Sequence, residues 1–115
     1  MANAAIGEIN LTIGEREFTL RPSFSGLAEI ESRADCGILS IAKDISEGKM
    51  KLRHIVAIVY GGILGALPRG EKPDVSFDEL GELIVSHGYA AITTPVVMFF
   101  AQAIKGDPLA EKKTQ

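Results

Sequence analysis

Two short stretches near the N-terminus alternate apolar and polar residues strictly enough to leave one choice of local structure. Ile9, Leu11 and Ile13 interleave with Glu8, Asn10 and Thr12, and Phe18 and Leu20 interleave with Glu17, Thr19 and Arg21. A period of two is that of a half-buried strand, and two such strands around a glycine form a hairpin. Two registers compete. A two-residue turn at Gly14-Glu15 sets Ile13 against Arg16, a charge opposite an apolar residue on the core face. A four-residue loop from Gly14 to Glu17 sets Ile13 against Phe18 and Leu11 against Leu20, with every apolar residue on one face, and is the register expected. Pro22 has no N–H for a ladder and ends the second strand. An isolated hairpin is marginal in water, so this apolar face needs a cover of helices or of a neighbouring subunit.

The rest of the chain supplies helices. Ser23 or Ser25 caps the first, which runs to about Asp35 with Leu27, Ile30 and Ala34 on its apolar face, and Gly37 ends it. Glu29 and Arg33 sit at i,i+4 in the favourable order. The second runs from about Ile38 to Glu47, with Ile38, Ile41, Ala42 and Ile45 inward, and Gly48 stops it. The third, about Lys51 to Ala66, gathers Leu52, Ile55, Val56, Val59, Ile63 and Leu67 in one arc, with His54, Ala57, Gly61 and Gly65 as a second stripe of mostly small residues. Glycine costs up to ~1 kcal/mol against alanine inside a helix. The stripe therefore marks either a close approach by another helix, in the fold or from a second subunit, or a helix that frays toward Pro68. Leu67 to Val75, with two prolines, a glycine and four charges, is the clearest loop. Ser76-Phe77-Asp78-Glu79 then reads as a capping box, with Val75 and Leu80 placed for a hydrophobic staple. Leu80, Leu83, Ile84 and Val85 form the buried side of that helix, and Gly88 closes it. The last helix is expected to start at Thr94 with Pro95 in its first position. Its Val96, Val97, Phe99, Phe100, Ala103 and Ile104 spread over roughly 160° of arc. The fold class is mainly α with an α+β start: a hairpin over 6–21 and about five helices over 24–106 in one domain of 1–106, followed by a mobile charged tail over 107–115.

Composition removes several functions. Twelve Lys and Arg against fifteen Asp and Glu leave a net charge of −3, with no basic patch, no Trp and only two Tyr, which speaks against nucleic acid. A single cysteine, Cys36, cannot form an internal disulfide and fits a reducing cytosol. Met1 to Ile6 is short and uncharged, unlike a signal peptide. The longest uncharged apolar run, Ile55 to Leu67, falls short of the ~20 residues of a membrane span.

No group of residues has the spacing of a catalytic, metal or cofactor site. His87 falls on the buried side of its helix in the last turn, where it can bond a free carbonyl and suit the dipole. His54 is expected at the surface or an interface, and neither His has a Cys, His or Glu partner at metal-ligand spacing. The Gly61 to Gly65 run lacks the Lys-Ser/Thr of a phosphate loop. The better leads are the small-residue stripe and the wide apolar arc. Ala57, Gly61, Gly65, Val97, Phe99, Phe100 and Ile104 are the candidate partner or subunit contacts, with core packing as the alternative for each.

One stretch carries a resemblance. Leu20, Arg21, Pro22, Phe24, Leu27, Glu29, Ile30 and Glu31, in the pattern L-R-P-x-F-x-x-L-x-E-I-E after a short hairpin and before an all-helical remainder, resemble the tail assembly chaperone family of long-tailed phages, prophages and gene transfer agents, whose members are also labelled tail tube proteins. The resemblance runs from Gly7 to about Gly106. It implies a small non-enzymatic protein in the cytoplasm of a bacterial host, with no cofactor. Such a protein binds the tape-measure protein during tail assembly, has the tail tube protein or a second copy of itself as further partners, and is absent from the finished tail. A structural tail tube or tail-completion subunit is the alternative.

Overall fold

In the computed structural model, residues 6–106 are described; the charged tail expected over 107–115 lies outside them, as do residues 1–5. Two strands, β1 (Ile9–Ile13) and β2 (Arg16–Leu20), are followed by helices α1 (Phe24–Ala34), α2 (Ile38–Ser46), α3 (Leu52–Ala66), α4 (Phe77–His87) and α5 (Ala90–Lys105).

The hairpin forms in the register that the sequence reading set aside. Ile13 pairs with Arg16, Leu11 with Phe18 and Ile9 with Leu20. The turn is the two-residue Gly14-Glu15, with Gly14 at φ 63° and Glu15 at negative φ, the pattern of a type II′ turn with glycine first. The objection to this register was Arg16 on the core face. The structure removes it, because the long side chain leaves the core at the hairpin's end. Its guanidinium lies 4.9 Å from the centre of the Phe18 ring and 3.5 Å from Asp74. The aliphatic stem thus covers an aromatic face while the charge stays wet. Leu11, Ile13, Phe18 and Leu20 are all buried, so both registers satisfy the one-face rule and turn geometry decides.

The cover over the hairpin is α3, which also packs against α1, α4 and α5. Its three glycines explain how so many elements reach one helix. A Cβ on Gly61 would collide with Ile30 and the Gly26 carbonyl of α1, and one on Gly65 with the Arg21 carbonyl. At Gly62 it would sit 2.8 Å from Leu20 Cβ and 3.2 Å from Phe99. The small-residue stripe is therefore a close approach inside the fold. The same proximity lets the Arg21 N–H at the end of β2 donate to the Gly62 carbonyl at 3.0 Å.

Helix ends follow local chemistry. Ser23 caps α1, accepting the Gly26 N–H at 2.9 Å, and Glu29 meets Arg33 at 2.8 Å. Asp35, rather than Gly37, takes the left-handed conformation (φ 58°) that ends α1, a role that Asp and Asn tolerate; Gly37 becomes the N-cap of α2. At α4 the capping box is complete, with Ser76 Oγ accepting the Glu79 N–H at 3.1 Å and Glu79 accepting the Ser76 N–H at 2.9 Å. Val75 and Leu80 are both buried beside it. Val85, expected inside, is exposed: Leu80 and Ile84 fill the stripe, and Val85 is one residue too far round.

The last helix starts earlier than Pro95 suggested. It opens at Ala90, and Pro95 stands inside it. The preceding turn closes with short-range bonds, Ala91 N–H to the Gly88 carbonyl at 3.4 Å and Ile92 N–H to the Tyr89 carbonyl at 3.2 Å. Burial of Ile92 in the core stabilises this extra turn against the one hydrogen bond that Pro95 cannot donate.

Candidate functional site

The seven residues picked from the sequence do not converge. Ala57 and Gly61 are buried, Gly61 at the α1–α3 crossing, Gly65 is half-buried against Arg21 and Ser23, and Phe99 and Phe100 are core residues. Val97, half-buried like Gly65, and Ile104, exposed, remain at the surface on α5. Their neighbours are what matter. The outer face of α5 presents Ala91, Thr94, Met98, Ala101 and Ile104, all exposed, and no ionisable residue occurs between Ala90 and Ile104. A surface helix normally turns charges outward; this one turns out methyl, hydroxyl and thioether groups over about 20 Å.

Beside that face lies a groove of about 480 Å³ between α5, the start of α3 and the end of α2. Ile45, Met50, Ile55, Tyr89, Val97 and Met98 line it, and none of its lining residues is charged. Met98 is 66 % exposed and Tyr89 50 %. Methionine is flexible and polarisable, and suits contacts that must adapt to a partner. Sequence reasoning found Val97 but missed Met50, Tyr89 and Met98, because it sought the arc that packs inward. The signal was the run of fifteen residues from Ala90 to Ile104 without a charge.

Two polar regions look more like chemistry. The first joins Cys36 and His54 in a basin of about 550 Å³ lined also by Asp44, Lys51 and Arg53. His54, expected at the surface or an interface, is only 3 % exposed within the chain itself, because the stripe it belongs to faces α1 and the loop after it. Its Nδ1 accepts the Lys51 N–H at 3.3 Å, and its Nε2 lies 3.8 Å from Cys36 Sγ. A ring whose Nδ1 accepts carries its proton on Nε2, pointed at the sulfur. That is the wrong tautomer to take a proton from the thiol. Burial first, then the Lys51 charge, holds the His54 pKa below its ordinary value, while Asp44 pulls it up. The pair is a helix-start brace, with the imidazole doing at α3 what Glu79 does at α4.

The second polar region is a cleft of about 710 Å³ between the start of α1, the end of α3 and the loop before α4. Arg33 lies over Tyr60 and Phe77 (4.9 and 5.1 Å from the ring centres), Arg53 over Phe77 at 5.3 Å, and the two rings meet edge to face. Arg33 is tied to Glu29, which raises its pKa. These contacts hold α1, α3 and α4 together beside the cleft. His87 is exposed and lies over Gly14 of the turn, where its ring would block any Cβ. Among the described residues no three His, Cys, Asp or Glu side chains gather as a metal site, and no helix is long and apolar enough to cross a membrane.

The family model described as phage tail tube protein, GTA-gp10, matches residues 6–106. The chain belongs to that family. The match covers the hairpin, all five helices and the closing Gly106, so the tail-related assignment applies to the whole described fold. Neither the curated proteins nor the solved structures contain a significant match to the chain. The family is one of phage and gene-transfer-agent tail proteins and names no enzymatic activity.

Proposed function

We propose that the protein is a non-enzymatic tail assembly chaperone that binds the tape-measure protein while the tail is built in the cytoplasm of the host cell. The observation that carries this reading is the charge-free outer face of α5 with its apolar groove. A long helical client must be kept from aggregating through its own apolar stripe, and an uncharged, methionine-bearing groove takes such a stripe without demanding a fixed sequence. Membership in a tail family supports the setting. The test is co-expression with overlapping tape-measure segments followed by size-exclusion chromatography. Co-elution with at least one segment is expected, and its loss on Met98→Glu places the contact; failure across all segments refutes the reading.

The family description favours a second reading, a tail tube subunit retained in the particle. Against it, the described residues hold one two-stranded sheet of five-residue strands, little with which to build a continuous sheet wall. Mass spectrometry of purified particles separates the two: a chaperone is missing from them and a tube subunit abundant.

A further inference from the structure

We infer that, without a client, a second copy of this chain covers the outer face of α5, in an antiparallel contact centred between Val97 and Met98. The inference adds regulation to the groove proposed above and rests on that reading only for its consequence, not for the contact itself. A two-fold axis at that point sets Ala91 against Ile104 of the partner subunit, Thr94 against the partner's Ala101, and Met98 against the partner's Val97. At the outer two pairings the larger side chain meets the smaller, so two α5 helices can close without a gap at their ends. Met98, 66 % exposed, stands beside the uncharged groove on the same face. A knob and a hole on one face are self-complementary under a two-fold axis. Charge agrees: the chain carries a net −3, yet this face has no ionisable group from Ala90 to Ile104, so two copies meet here without like-charge repulsion.

Area sets the strength. A strip about 20 Å long and ~10 Å wide has a footprint of about 200 Å², and the groove with Tyr89 and Met50 widens it. That stays below the ~800 Å² per partner of a standard stable interface. The association is therefore concentration-dependent, and a client that fills the groove displaces it.

Sedimentation of the full chain alone, over a range of concentrations, is the test. The mass should rise from 12.3 kDa toward twice that value, and Met98→Glu should weaken the association on the order of tenfold or more, since it buries two carboxylates together. Cross-linking fixes the direction. In a Cys36→Ser background, an equal mixture of Thr94→Cys and Ala101→Cys chains should form disulfides between the two variants, whereas Thr94→Cys alone should not. A chain that stays monomeric up to its solubility limit overturns the inference, as does a dimer indifferent to Met98→Glu, or one in which Thr94→Cys links to itself. A dimer that follows the expected pattern yet binds no tape-measure segment leaves the inference standing and refutes the client reading.

Discussion

The sharpest test of the structure is Gly61→Ala, because two ordinary effects oppose each other there and the geometry decides the sign. Replacing a helix-interior glycine by alanine contributes up to about 1 kcal/mol through propensity alone. If the end of α3 merely frayed, that gain would be all. At Gly61, however, the new methyl would collide with Ile30 and the carbonyl of Gly26, with Ile30 Cδ1 at 3.1 Å. Carbon contacts are comfortable at about 3.5–4.0 Å. The Ile30 side chain can shift a little, but the Gly26 carbonyl is backbone and moves only if α1 moves. Forcing a methyl into such packing costs about 1–3 kcal/mol, and with a backbone partner the upper half of that range applies. The net effect is a loss of about 1–2 kcal/mol, or roughly 4–8 °C in Tm for a domain of this size. Gly81→Ala in α4 is the control, since its methyl would meet Val56 at an ordinary 3.8 Å. It should stabilise by about 0.5–1 kcal/mol. Thermal and urea unfolding followed by far-UV circular dichroism reads both. If Gly61→Ala raises the midpoint alongside Gly81→Ala, the α1–α3 crossing is not as close as described.

Three further outcomes follow from particular contacts. Ser76→Ala removes half of the α4 capping box and should destabilise by about 1 kcal/mol in urea titrations. His54 is held below its ordinary 6.5, chiefly by burial, so the unfolded chain takes up its proton first as pH falls. Stability from this group is full above about pH 6.5 and declines as pH drops toward the folded value; the urea midpoint should fall over that window in the native protein and stay flatter in His54→Gln. Arg16→Ala uncovers the Phe18 ring and should cost about 0.5–1 kcal/mol, whereas Asp74→Ala, which removes only an exposed ion pair, should change the midpoint by little more than error.

Much of this was legible in the sequence wherever a local signal acts alone. The capping box at Ser76, the cap at Ser23 and the Glu29–Arg33 pair need only their own neighbours, and they form as expected. The misreadings share a different cause: a distant contact changes the value of a local one. Arg16 looked intolerable opposite Ile13 until Phe18 and Asp74 gave it somewhere to go. Pro95 looked like a helix start until the burial of Ile92 extended the helix upstream. His54 looked like a surface or interface residue because the packing of α1 and the following loop cannot be read from α3. The candidate site suffered in the same way. Periodicity reports which face is buried, so it selected Phe99 and Phe100. The uncharged face left outside had to be recognised by what it lacks.

The three glycines of α3 also bear on how the chain reaches this structure. The helix on which the hairpin, α1, α4 and α5 all pack is among the poorest in intrinsic propensity, since Gly61, Gly62 and Gly65 fall within its last six residues. It cannot serve as a preformed template. An isolated peptide of Leu52 to Ala66 should be largely coil in water, and a chain cut in the Leu67 to Val75 loop should leave neither half structured. The central helix therefore takes its order from the elements packed on it, and a single cooperative transition in urea unfolding is the expected outcome.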